Sequence, residues 1–233
     1  MIEYFPSAAP GRMRIMRGGG FALAFMLLSV VSLWLPARAA LSDPTQNAQE
    51  VIQDASTRAI AVLKERHQEL REQPQRIFQF VEEYLLPHFD MDYVSRQVLG
   101  KNWREATPDE RDRFKRAFQE TLIRSYGSSM LQYSDQKIDF LPFKEEPDAR
   151  QAVVKTEVET TSGKPAAVDY TMRRTDNTWK VVDVTIEGIS MVVNYRSQFN
   201  EEIRRLRGLT PLIAKLEERN RMGITGEPNK PAK

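Results

Sequence analysis

The side chains able to do chemistry are few and widely scattered. The chain has two histidines, His67 and His88, and no cysteine. They fall on separate expected elements, with no spaced His/Asp/Glu set that could complete a zinc site. Ser134-Asp-Gln-Lys137 has the Ser-x-x-Lys spacing of an acylating pair, without the companion motifs such an enzyme needs. Gly188-Ile-Ser190 begins like a nucleophile elbow, but Val192 stands where the second glycine belongs. No Gly-rich phosphate loop is present. One carboxylate stands out: Asp183, between Val182 and Val184, with Asp169 and Tyr170 on the expected neighbouring strand. On the polar sheet face it would pair with Arg173 or Lys155; facing a cavity, it could transfer protons.

The elements that must position these groups begin with an expected helix carrying Val51, Ala55, Ile60, Leu63, His67 and Leu70, so highly charged that it belongs on the outside of the domain. Ile77, Phe78, Val81, Tyr84 and Leu85 mark a second helix between Pro74 and Pro87. A short apolar helix carries Phe89, Met91, Tyr93, Val94, Val98 and Leu99, with Gly100 as its C-terminal cap. Thr107-Pro108-Asp109-Glu110 is a capping box with proline at the first helical position, and Phe114, Phe118, Leu122 and Tyr126 step along the helix it opens.

After Gln132 the pattern turns to β. Residues 136–143, 152–160, 166–174 and 178–186 are expected strands, and the short TSGKP and TDNT connections make them antiparallel hairpins. Alternation puts Val154, Val158, Val168, Tyr170, Met172, Val182, Val184 and Ile186 on one apolar face. Lys155, Glu157, Asp169, Thr171, Arg173 and Asp183 take the other. The stretch Trp179–Phe199 joins the last strand through Glu187-Gly188 to an amphipathic helix carrying Met191, Val192, Tyr195, Phe199, Ile203 and Leu206. Gly208 closes it and Thr210-Pro211 opens another. The fold class is therefore α+β, an antiparallel sheet of about four strands with helices packed over one face.

Residues 1–39 read as a secretory signal peptide. Arg12, Arg14 and Arg17 precede an apolar run, Phe21–Leu35, that is shorter than the ~20 residues of a bilayer span, and Ala37-Arg38-Ala39 supplies a cleavage site. Removing the leader leaves 30 basic against 31 acidic side chains, so no basic surface calls for a nucleic-acid partner. Residues 40–219 are expected to form one domain stabilised by its core alone, and residues 220–233 a disordered tail.

The combination Leu99-Gly100, Trp103, Ala106-Thr107-Pro108, Phe114, Phe118, Tyr126-Gly127, Asp169-Tyr170, Trp179, Asp183 and Glu187-Gly188-Ile189-Ser190-Met191 resembles the MlaC family, also called the toluene-tolerance auxiliary family, from about Pro44 to Glu218. The leader is longer than such proteins usually carry. The resemblance implies a periplasmic, monomeric carrier of phospholipid in the pathway that maintains outer-membrane lipid asymmetry. Its partners would be an inner-membrane ABC transporter, through its MCE-domain subunit, and an outer-membrane lipoprotein–porin complex. It needs no cofactor or metal and is not an enzyme; lipid is the cargo.

Under that resemblance an apolar pocket between sheet and helices would be lined by Phe89, Tyr93, Val94, Trp103, Phe114, Phe118, Leu122, Tyr126, Val154, Val158, Tyr170, Met172, Val184, Ile186, Ile189, Met191, Val192 and Tyr195. Ile189, Met191 and Val192 would control entry, and Arg196 or Lys101 would touch the head group loosely. Periodicity alone makes the same residues ordinary core. The alternative function is an isomerase-type enzyme using Asp183, on resemblance to nuclear-transport-factor-like α+β enzymes.

Overall fold

The computed structural model describes residues 46–131, 137–146, 148–160 and 163–221. The expected leader, Ser134 of the Ser-x-x-Lys match and residues 222–233 of the expected tail lie outside them.

Helix α1, Ala48–Glu65, starts at a reciprocal capping box: the Asn47 side chain accepts from the Glu50 N–H at 3.0 Å and Glu50 accepts from the Asn47 N–H at 2.8 Å. The chain breaks at Arg66, so the expected single helix through Leu70 is two, the second being α2, His67–Glu72. Helix α3, Ile77–Tyr84, follows, then a 3-10 turn, Leu86–His88, and α4, Met91–Leu99, whose N-cap Asp90 accepts from the Tyr93 N–H at 2.9 Å. Gly100 ends α4 at φ 57°, a conformation that costs glycine little. The short α5, Lys101–Glu105, leads to α6, Pro108–Leu131, which opens on the expected Thr107/Glu110 capping box.

Among the described residues, five antiparallel strands follow in sequence order across one sheet: β1 Ile138–Phe140, β2 Gln151–Val158, β3 Ala166–Thr175, β4 Thr178–Ile186 and β5 Ile189–Ser190. The fifth, beyond the expected four, exists because Glu187 and Gly188 both take positive φ, 51° and 79°, and fold Ile189–Ser190 back against β4. Asp176 and Asn177, at φ 48° and 61°, do the same between β3 and β4.

The register corrects the expected apolar face. Thr171 pairs with Asp183, but Met172 pairs with Val181, leaving Val182 as an extra residue in a β-bulge. Val181 and Trp179 therefore share a face with Met172, Val154, Tyr170 and Val184. A shift of one residue reverses faces, so Val182 is replaced there by Val181.

Two further helices complete the domain: α7, Met191–Leu206, and α8, Leu209–Arg221. Asn220 and Arg221 belong to α8 rather than to a tail. The Asn220 amide donates to the Ala117 carbonyl at 2.8 Å, and Arg124 donates to the Asn220 carbonyl at 2.9 Å, tying the end of α8 to α6.

Among the described residues the core has three centres. Phe114, Phe118, Tyr195, Phe199, Leu212 and Ile213 interlock α6, α7 and α8, with ring centroids 5.1–5.7 Å apart among the four aromatics. Ala48, Val51 and Ile52 of α1 pack on Val154, Met172, Trp179 and Val181 of the sheet. Ala59, Ile77, Phe80, Val81 and Ile123 join α1, α3 and α6.

Candidate functional site

Between these three centres lies a cavity of about 370 Å³, lined by residues from α1, α3, α4, α6, α7, β3 and β4. The volume falls within the range typical of ligand pockets, ~300–1,000 Å³. Along β4 the wall is Val181, Asp183, Val184 and Ile186, with Tyr170 beside them on β3. Opposite, α6 presents Phe118, Gln119, Leu122, Ile123, Tyr126 and Met130. Helix α1 contributes Ile52, Ala55 and Ser56, and the end of α3 with its following turn contributes Val81, Leu85, Leu86, His88 and Phe89. Met91 and Val94 of α4 and Met191, Val192 and Tyr195 of α7 close the remaining side. Among the described residues that line it, none is a lysine or arginine.

The polar groups in the wall are mostly engaged in holding the fold. Both oxygens of Asp183 are taken: one accepts from the Ser190 hydroxyl, the other from the Val192 N–H at 3.0 Å. Ser190 in turn accepts from the Val193 N–H at 3.1 Å as the N-cap of α7. The carboxylate thus sits at the positive end of a helix dipole, and the expected pairing with Arg173 or Lys155 is replaced by this cap. Arg173 instead pairs with Asp90 at 3.4 Å and stacks on the Tyr93 ring at 4.8 Å.

Tyr126 donates to the Met191 sulfur at 3.7 Å. Burial first, and then its neighbour Tyr195, push the Tyr126 phenol well above its usual range, so it stays neutral. Burial likewise raises Tyr170, opposed by its hydrogen bond with Thr156. His88 is pushed down, by burial and then by the positive charges of Lys180 and Arg58.

Of the residues expected from the sequence, Phe89, Val94, Phe118, Leu122, Tyr126, Tyr170, Val184, Ile186, Met191, Val192 and Tyr195 come together on the cavity wall. Seven others lie elsewhere. Phe114 is fully buried between α6 and α7 against Phe199, and Val154 and Met172 are fully buried under α1. Tyr93 lies under Arg173, and Trp103 lies under Arg111 with the guanidinium carbon 5.4 Å from the ring centre. Val158 is at the sheet margin, paired with Ile138 and Ala166. Ile189 points to solvent, 48 % exposed, because β5 alternates and its neighbour Ser190 takes the inward position.

Arg196 is committed to Gln97, donating to its carbonyl at 2.5 Å and to its side-chain oxygen at 3.0 Å. Lys101 is exposed on α5.

The lining residues that the sequence did not single out are chiefly on α1 and around the Leu86–His88 turn. The small residues Ala55 and Ser56 were a signal: on a helix so charged, they allow close approach without adding hydrophobicity. Among the described residues, no group of three or more His, Asp or Glu could hold a metal ion, and no helix is long and apolar enough to cross a membrane.

The family described as MlaC protein matches residues 53–218. The chain is 28 % identical over 166 residues to the toluene tolerance protein ttg2D of Pseudomonas putida, covering 71 % of this chain and 77 % of that one. It is 23 % identical over 200 residues to the intermembrane phospholipid transport system binding protein MlaC of Haemophilus influenzae, covering 83 % and 90 %. Among solved structures it resembles the phospholipid-binding protein of Ralstonia solanacearum, determined in complex with a phospholipid. That similarity has a TM-score of 0.71 and 29 % identity, over 76 % of this chain and 98 % of that one. With the family matched across most of its length, this chain belongs to the MlaC protein family.

Proposed function

We propose that this protein is a phospholipid carrier that takes acyl chains into the cavity between β4, α1, α6 and α7. The observation that carries the reading is the cavity itself: about 370 Å³ of space inside a folded domain whose wall is almost wholly aliphatic and aromatic. A packed core excludes voids of that size. The phospholipid in the Ralstonia complex and the transport role named for the Haemophilus relative support the same cargo.

The energetics suit a carrier. Burying about thirty methylenes at ~0.8 kcal/mol each involves on the order of 20 kcal/mol, and a bilayer offers the same. Transfer in either direction then requires a dry chamber that matches the membrane, and no chemical step. Asp183, the one carboxylate among the described lining residues, has its oxygens engaged at Ser190 and Val192, which favours the carrier over an isomerase-type enzyme.

In the cell the carrier would work in the periplasm, to which the leader read in residues 1–39 would direct it. It would shuttle lipid between an inner-membrane ABC transporter bearing an MCE-domain subunit and an outer-membrane lipoprotein–porin complex, keeping phospholipid out of the outer leaflet. Deleting the protein from its host should raise the surface-exposed phospholipid measured by phospholipase accessibility. Wild type should restore it and a Leu122→Glu variant should not. Unchanged surface phospholipid in the deletion strain would contradict the role.

A further inference from the structure

Six polar side chains are among the described residues that line the chamber: Ser56, His88, Gln119, Tyr126, Tyr170 and Asp183. Five of them are engaged. Asp183 accepts from Ser190 and Val192, Tyr126 donates to the Met191 sulfur, and Ser56 donates to the Gln53 carbonyl at 3.0 Å. Tyr170 hydrogen-bonds with Thr156, and His88 has a partner as well. Gln119 is the exception, since its side-chain amide makes no hydrogen bond with any described residue.

The position of Gln119 on α6 is as telling as its lack of a partner. At about 100° of turn per residue, Leu122, Ile123, Tyr126 and Met130 all fall within about 60° of Gln119, on both sides of it. The glutamine therefore stands inside the stripe that faces the chamber, not at its edge. Along the helix axis it lies near the N-terminal end of the row, with Met130 roughly 16 Å away at ~1.5 Å per residue. The side chain is half-buried. Its amide offers two N–H donors and one carbonyl acceptor. Acyl chains that fill the chamber strip water from those donors, which costs free energy unless the cargo supplies an acceptor. In a diacyl phospholipid the polar groups closest to the chains are the ester carbonyls, which only accept.

We propose that Gln119 donates a hydrogen bond to an ester carbonyl of the cargo lipid and so fixes how far the acyl chain enters the chamber. The inference rests on the carrier reading above. An uncharged donor suits the task, because it reads the junction that diacyl phospholipids share, whereas a cation in its place would favour the phosphate. Beyond Gln119 the chain would run over Leu122, Ile123, Tyr126 and Met130, the rest of the same stripe. A polar anchor at one end of an apolar row is the pattern that an ester-linked chain requires.

The test compares two short-chain phosphatidylglycerols with the same head group and chain length, one ester-linked and one ether-linked, the second lacking only the carbonyls. Both are titrated into delipidated wild type, Gln119→Leu and Tyr126→Phe proteins whose circular dichroism matches the native protein. Wild type should prefer the ester lipid by roughly fivefold, the effect of one neutral hydrogen bond. Gln119→Leu should bind the two lipids equally, and Tyr126→Phe should keep the preference. Equal binding by wild type, or a preference that survives in Gln119→Leu, overturns the inference while leaving the carrier reading intact. A preference lost in Tyr126→Phe alone assigns the ester to the Tyr126 hydroxyl and also overturns it. If neither lipid binds wild type, the carrier reading itself fails.

Discussion

The carboxylate of Asp183 on β4 accepts a 3.0 Å hydrogen bond from the backbone N–H of Val192 on α7, while its other oxygen takes the Ser190 hydroxyl. One side chain therefore fixes the angle between the sheet and the helix that together form a wall of the cavity. Replacing it with alanine leaves the Val192 N–H unsatisfied and frees the Ser190 hydroxyl. Asp183→Ala should destabilise the domain by about 1–2 kcal/mol, the usual range for a lost cap. Urea unfolding checks this; a loss below the error of the method would mean that the cap is dispensable.

Leu122 and Ile189 separate the interior from the rim. Leu122 lines the cavity, whereas Ile189 is 48 % exposed outside it. Leu122→Glu should reduce co-purifying lipid by roughly tenfold or more, because a carboxylate in an apolar chamber must be desolvated or must draw in water. Ile189→Glu should leave it within about twofold. Lipid extraction followed by mass spectrometry measures both, and loss in the Ile189 variant alone would move the binding region to the β5 rim.

Gly127 of α6 lies close against Ile77 of α3. A Cβ there would stand 3.2 Å from Cγ2 and 3.3 Å from Cγ1 of Ile77. For Gly127→Ala the gain in helix propensity, about 0.8–1 kcal/mol, roughly offsets the crowding. Gly127→Val adds two methyl groups to the same contact and should cost about 1–3 kcal/mol. Thermal unfolding of the pair should show the alanine variant near wild type and the valine variant clearly lower.

Glu69 joins α2 to the turn after it, accepting from Arg66 at 2.9 Å and also pairing with Arg76. The Arg66 hydrogen bond, reinforced by Arg76, lowers the carboxyl from an ordinary 4.5 to about 2. A depressed folded-state value means that the contribution is present above pH 4.5 and is lost as the pH falls toward 2. Because the pair lies at the protein surface, open to solvent and salt, the effect is small. Glu69→Gln should therefore lower stability slightly at pH 6 and converge with wild type near pH 2; curves that stay parallel across that window would contradict the pairing.

How much of this was legible in the sequence differs by element. The Thr107/Glu110 box placed the start of α6 to the residue, since a cap is a local signal that packing does not override. The four-residue step of Phe114, Phe118, Leu122 and Tyr126 identified the helix but not the destination of each ring. Steps of four on a helix of 3.6 residues per turn drift by about 40° each. Phe114 consequently meets Phe199 in the core while Tyr126 reaches the cavity. In Val181-Val182-Asp183-Val184 two adjacent valines fit the apolar face equally well, and only the bulge against Thr171/Met172 decides for Val181. The part played by α1 was hidden because Ala55 and Ser56 contribute shape rather than hydrophobicity.

Whether the cavity holds lipid in the native protein is most directly read by native mass spectrometry. The protein should be purified without detergent from its host envelope, with extracted ligands identified by fragmentation. The carrier account predicts a dominant species heavier than the bare chain by the mass of phospholipid, reduced to the bare mass in Leu122→Glu. A folded wild-type protein found only at its bare mass would contradict it.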